Sequence, residues 1–237
     1  MLVVGGTRGT GRLVVQLLRD GGRSVRVLAR DPGVAKAQLD ASVEILPGDI
    51  TRPETLPRAV EGVAHVIFTA GVRSGRPSSE SRIRETEYGG TRNTLDAARS
   101  AGFTGRFLYM TASGVTARSF ASFALNLYKG NTLVWRRRAE EEIRASGLDY
   151  TIIRTGVLLN APARRHALAV TQRRMGLSFR HRIARGDVAE VFVAALAHPR
   201  ASRATFDVVW GRGPRQGTVS SLLDELRPDA EMTEAHA

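Results

Sequence analysis

A short apolar stretch, Leu2-Val3-Val4, runs directly into Gly5-Gly6-Thr7-Arg8-Gly9-Thr10-Gly11 and then into a segment with Leu13, Val14, Leu17 and Leu18 on one side. This junction restricts the fold more than any other feature of the chain. A strand that ends in a G-x-x-x-G-x-G turn and reopens as an amphipathic helix is the context a dinucleotide-binding fingerprint requires. Gly5 permits the tight turn. Gly9, without a Cβ, lets backbone amides approach a pyrophosphate, and Gly11 lets the helix pack against the strand. The helix N-terminus then offers N–H groups and a positive dipole end to phosphates. Gly5, Gly6, Thr7, Arg8, Gly9, Thr10 and Gly11 are therefore candidate cofactor-binding residues. The plainer alternative is a turn that only joins strand to helix.

Downstream, short runs rich in Val and Ile alternate with helical patterns. Strands are expected at 2–4, 24–28, 43–46, 65–68, 107–110, 150–154 and 205–209. Helices are expected at 9–19, 53–60, 80–100, 133–145, 187–197 and 218–226, with a short one after Pro32. This alternation predicts an α/β fold, a Rossmann-type doubly wound parallel sheet, in one NAD(P)-binding domain over residues 1–237. The least regular segment, 157–186, follows a strand near the C-terminal edge of that sheet, where open α/β folds bind ligands. It reads as a small C-terminal substrate lobe.

The second predicted strand leads into Ala29-Arg30-Asp31-Pro32. An acid there would accept a ribose 2′-hydroxyl, whereas a guanidinium would pair with a 2′-phosphate. Arg30 is read as the phosphate partner and Asp31 as the cap of the short helix after Pro32. NADP(H) is accordingly favoured over NAD(H). The net charge of +12 is almost wholly arginine, since lysine occurs only at Lys36 and Lys129. Such a chain attracts anions. It nevertheless lacks zinc-finger spacing and any basic helix interleaved with aromatics, which makes nucleic acid an unlikely partner. The absence of cysteine excludes disulfides and thiolate metal sites. His65, His166, His181 and His198 have no metal-ligand spacing, so no metal is expected. The opening MLVV leaves no room for a signal peptide, and no apolar run reaches the length of a membrane span. A cytoplasmic protein, monomer or homodimer, is the expectation.

Several motifs together resemble the atypical short-chain dehydrogenase/reductases with an NAD(P)H-binding fold, relatives of the NmrA-like proteins. They are the stretch from Val4 to Arg12, Val25-Arg26-Val27-Leu28-Ala29-Arg30-Asp31-Pro32, Pro47-Gly48-Asp49-Ile50, and Tyr88-Gly89-Gly90-Thr91 leading to Asp96-Ala97-Ala98. Later come Ser146-Gly147-Leu148-Asp149-Tyr150-Thr151-Ile152-Ile153-Arg154 and Ile183-Ala184-Arg185-Gly186-Asp187-Val188-Ala189. The resemblance implies that Asp49 and Ile50 meet the adenine. It places Thr69, Ala70 and Gly71 beside the adenosine ribose and pyrophosphate. Thr111, Ala112 and Ser113 would face the nicotinamide, and Thr155, Gly156 and Val157 would support its far side.

Many short-chain dehydrogenases carry Tyr-x-x-x-Lys, with the tyrosine as proton donor and the lysine lowering its pKa. This chain has none. Tyr128 and Lys129 are adjacent and face different sides of a helix. By resemblance Arg136 stands at the lysine position and Thr132 at the tyrosine position. Arg136 either holds the ribose or a phosphate, or forms an i,i+4 surface pair with Glu140. Thr111, Ser113 and Arg136 are the catalytic candidates. Hydride transfer to a small conjugated or carbonyl acceptor asks less of the protein than alcohol–ketone interconversion, because a conjugated acceptor can take its proton from water. A quinone-, flavin- or tetrapyrrole-like acceptor would fit. Lobe arginines Arg164, Arg165, Arg173, Arg174, Arg180 and Arg182 hint at an acidic substrate. The alternative is an NmrA-like protein that senses the dinucleotide without turnover.

Overall fold

A computed structural model describes residues 1–72, 78–116, 120–128 and 130–234. The chain opens β1 (Leu2–Val4), α1 (Gly9–Asp20), β2 (Arg26–Ala29), α2 (Pro32–Lys36), β3 (Glu44–Pro47), α3 (Pro57–Val60) and β4 (His65–Phe68). Next come α4 (Glu80–Ile83), a π-turn (Arg84–Gly89), α5 (Gly90–Ser100), β5 (Arg106–Ala112), α6 (Phe120–Tyr128), α7 (Thr132–Ala145) and β6 (Asp149–Thr155). The remainder holds β7 (Val157–Leu159), β8 (Leu168–Thr171), β9 (Arg182–Ala184), α8 (Arg185–Ala195), β10 (Ala204–Trp210) and α9 (Asp229–Glu234).

The main sheet has eight strands in the order β3-β2-β1-β4-β5-β6-β10-β8. All neighbours pair in parallel except β8, which runs antiparallel to β10. Strand order reverses at β1, so the crevice between the ends of β1 and β4 is the switch point where such sheets take ligands. The period of two in the strands explains why helices cover both faces. Leu2 and Val4 join Phe68, Phe107 and Tyr109 against Leu95 of α5 and Ile143 of α7. Val3, between them, joins Ile67, Leu108 and Phe206 against Val14 and Leu18 of α1 and Phe192 of α8. Each fully buried Leu or Phe contributes about 1.5–3 kcal/mol relative to exposure.

Three differences from the sequence reading have physical causes. Residues 80–100 run as helix throughout, as expected, but Arg84–Gly89 take the wider π geometry. The helix expected over 218–226 is a 3-10 turn at Ser220–Leu223. The segment 157–186 is more ordered than expected. β8 extends the main sheet as an antiparallel edge, and β7 pairs with β9 in a separate two-stranded sheet. Strands of three or four residues show too few alternations for periodicity to register.

Candidate functional site

β1 delivers the chain to Gly5 at φ +84°, a left-handed conformation that favours glycine. A Cβ there would lie 2.7 Å from Ala70 N, so the end of β4 sits directly under the turn. Thr69 fixes that approach, donating from both N (2.9 Å) and Oγ1 (3.0 Å) to the Val4 carbonyl. A Cβ on Gly11 would fall 2.3 Å from the Gly5 carbonyl, which is the close helix–strand contact the glycine allows. Gly9, also left-handed at φ +56°, differs: a Cβ there would meet only the Arg185 guanidinium, at 3.6 Å. The space over Gly9 is a cradle.

The first i→i−4 bond of α1 runs from Arg12 N to Arg8 O (3.3 Å), so the N–H groups of Gly9, Thr10 and Gly11 precede the helical ladder. Arg8, at the N-cap, supplies no side-chain acceptor to them. An uncapped N-terminus with a glycine cradle fits a diphosphate. At the end of β2, Asp31 accepts from Val34 N (3.0 Å) and caps α2. Arg30 beside it is exposed. Asp49 caps its own turn, accepting from Thr51 N and Oγ1 (both 2.9 Å). Ile50 is buried against Gly90, where a Cβ would come within 2.6 Å of Ile50 Cδ1.

At the position expected for a tyrosine–lysine pair the chain builds an ion pair. Glu87, on the π-turn, is 3 % exposed. It accepts from Arg136 Nε (2.6 Å) and Nη2 (3.1 Å), Thr132 Oγ1 (2.8 Å) and Val72 N (3.3 Å). Burial alone would raise the Glu87 carboxyl, but Arg136, Thr132 and the Val72 amide hold it below the usual carboxylate range. Of the two alternatives for Arg136, the i,i+4 surface pair with Glu140 does not form. α7 turns both residues toward the sheet: Arg136 joins Glu87 beneath Gly71, and Glu140, fully buried, binds Arg154 (Nε 3.1 Å, Nη2 2.5 Å) and Arg144 (3.1 Å). Its neighbours Arg137 and Glu141 form the exposed i,i+4 pair instead. Tyr128 is exposed, and Lys129 lies outside the described residues.

β5, β6 and β10 bring a third group together. Ser113 N donates to the Thr155 carbonyl (2.9 Å) and Thr155 Oγ1 to the Thr111 carbonyl (3.2 Å). The lobe closes over them. Gly114 N donates to the Met175 carbonyl (3.0 Å), and Val157 N to that of His181 (2.7 Å). A Cβ on Gly156 would lie 2.3 Å from the same His181 oxygen. Thr111 and Ser113 are buried, and their hydroxyls, like Asp207 Oδ1, have no hydrogen-bond partner among the described residues. Burial pushes the Asp207 carboxyl up to about 6, against the opposing pull of the nearby Ser113 hydroxyl and Arg154. Sequence reasoning missed Asp207 and Glu87, because neither sits in a motif.

The lobe is tied down by Asp187, which accepts from Arg164 N (2.8 Å), Trp210 Nε1 (2.8 Å) and Arg215 Nη1 (3.0 Å). Arg164 is also paired with Glu190, so it is not the open cation expected from the sequence. Among the described residues no helix is long and apolar enough to cross a membrane.

The family of NAD(P)H-binding proteins matches residues 5–199. A chloroplastic protein of Arabidopsis thaliana is 32% identical over 83% of this chain, which spans 65% of that protein's length. The sanguinarine reductase of Eschscholzia californica is 28% identical, with 88% of each chain covered. Among solved structures, an anaerobillin reductase from Escherichia coli O157:H7 superposes with a TM-score of 0.71 at 21% identity, covering 90% of this chain and 97% of that one. The glycine turn, the switch point and this match agree: the chain belongs to the NAD(P)H-binding family of atypical short-chain dehydrogenase/reductases.

Proposed function

We propose that this protein is an NADP(H)-dependent oxidoreductase that passes a hydride to a small conjugated or carbonyl acceptor without a tyrosine–lysine pair. The observation that carries the reading is the uncapped start of α1 beside an open Gly9, next to a buried Glu87–Arg136 pair where a proton-donating dyad would stand. The reductase names of two similar proteins support the reaction class.

The cofactor would supply the hydride. The chain's own residues do the rest. The amides of Gly9, Thr10 and Gly11 hold the diphosphate, and Arg30 takes the 2′-phosphate while Asp31 is kept to its cap. Thr69, Ala70 and Gly71 line the ribose side, with Asp49 and Ile50 toward the adenine. Thr111, Ser113, Thr155, Gly156 and Val157 form the nicotinamide end under the lobe. Arg136, held by Glu87, is a fixed positive charge beside Gly71 that neither gives nor takes a proton. An acceptor whose reduced form draws its proton from water suits such a site.

Titration with NADPH and NADH, followed by nicotinamide fluorescence, tests the binding. NADPH should bind the tighter. Absorbance of NADPH with a panel of quinones, flavins and enones then tests turnover. Tight binding with no acceptor reduced would favour a dinucleotide sensor.

A further inference from the structure

Arg185 opens α8 where the chain returns from the lobe, yet its guanidinium lies over the glycine turn. Nη1 is 3.5 Å from Thr10 Oγ1, and it is the first atom a Cβ on Gly9 would meet. Nε donates to Asn160 Oδ1 (3.0 Å), just beyond β7. Most other arginines drawn into the fold are matched; Arg19, at the far end of α1, is not, and donates instead to the Arg23 carbonyl (3.1 Å). Arg106, Arg136, Arg154 and Arg215 each face a carboxylate at 3.0 Å or less. Arg185 faces none among the described residues, and burial alone pushes its pKa down with no acid to raise it. A guanidinium drawn partly out of water without a counter-charge is unfavourable. An anion on the Gly9 cradle would relieve it.

We infer that Arg185 is a phosphate-binding residue, closing on a dinucleotide's pyrophosphate from the lobe side while the first amides of α1 hold it from below. This rests on the cofactor reading above and adds a residue to it. The glycine at position 9 leaves both donors free to meet one ligand. Arg185 directly follows β9, and its Nε holds Asn160 after β7, so the same contact would tie both strands of the lobe sheet to the bound phosphates. The pyrophosphate is common to NADPH and NADH, whereas the 2′-phosphate is not. Arg185 and Arg30 should therefore separate cleanly.

The test titrates the full chain and its Arg185→Met, Arg185→Lys and Arg30→Met variants with NADPH and with NADH, with thermal unfolding of each variant measured without nucleotide. Arg185→Met should weaken both nucleotides by about tenfold to a hundredfold, the loss of one charge-assisted contact. Arg185→Lys should recover part of that, and unliganded unfolding temperatures should match the parent. Arg30→Met should weaken NADPH alone. Binding of both nucleotides by Arg185→Met within about twofold of the parent, or loss of NADPH only, overturns the inference while leaving the cofactor reading intact. Should Arg185→Met fail to fold, Arg185→Lys decides: unchanged affinity for both nucleotides overturns the inference. A parent chain that binds neither nucleotide overturns both.

Discussion

Two sets of arginines divide this molecule. On β5, β6 and the helices that pack on them, guanidinium groups are wholly or partly buried and matched: Arg106 with Asp149, Arg154 with Glu140, and Arg136 with Glu87. Around the ends of β1 and β2, Arg8 and Arg30 are exposed, and Arg185 leans over the turn without a carboxylate among the described residues. The first set costs desolvation and gains fixed geometry, and is sensitive to the removal of either partner. The second set stands at the ends of β1 and β2, beside the proposed diphosphate site. The matched pairs cancel and add nothing to the net charge of +12, which resides in arginines without a carboxylate partner among the described residues, including Arg8, Arg30 and Arg185.

The comparison breaks most readily at Glu140. Glu140→Ala leaves Arg154 with Asp207 only, 4.0 Å away, whereas Arg144 keeps Asp229 (3.1 Å), and should destabilise the protein by about 3–5 kcal/mol in urea unfolding. A loss below about 1 kcal/mol would mean the inner set is not structural. Asp207 gives the next effect, with a sign that pH reveals. Its carboxyl stands at about 6 in the fold against an ordinary 3.8. The folded state therefore binds that proton more tightly than the unfolded chain does. The penalty is absent below about pH 4, grows through the window between the two values, and is complete above about pH 6, at about 3 kcal/mol. Asp207→Asn should gain on the parent by that amount across the window, and parallel stability profiles would contradict it.

On the outer set, Arg30→Ala should cost NADPH about 1.5–3 kcal/mol of binding free energy and leave NADH unchanged, as read by calorimetry. Equal losses for both nucleotides would move Arg30 away from the 2′-phosphate. Gly9→Ala should cost the fold only about 1–2 kcal/mol, the strain of a left-handed alanine, because the added methyl meets no backbone. Binding of either nucleotide should nevertheless fall by at least about tenfold. The smallest effect is Arg137→Ala. It breaks an exposed i,i+4 pair with Glu141 and should shift stability by about 0.3–0.5 kcal/mol.

Local signals were readable from the sequence and distant ones were not. A short apolar run gives way to a period of 3.6 across Gly5–Gly11, so β1, the turn and α1 stand out without any structure. Asp31 declares itself as a cap because Pro32 follows it. Strand cores such as His65–Phe68 are apolar enough to mark themselves. The partner of Arg136 is another matter. A charge four residues away offered a plausible pair, and the actual one comes from 49 residues earlier on a turn with no compositional mark. Asp207 lies inside an apolar strand, Phe206-Asp207-Val208, where a lone acid reads as an outward-facing residue. Arg185 lies within the Ile183–Ala189 motif, but only the fold carries it back across the molecule to Gly9.

The π-turn also bears on the charge beside the fourth strand. Such a turn is wider than an α-helical one. Glu87 stands within it, so this local widening sets where the carboxylate meets Arg136, while the flanking helices α4 and α5 continue on either side. A guanidinium held by a carboxylate from a widened helical turn orients and neutralises without exchanging protons.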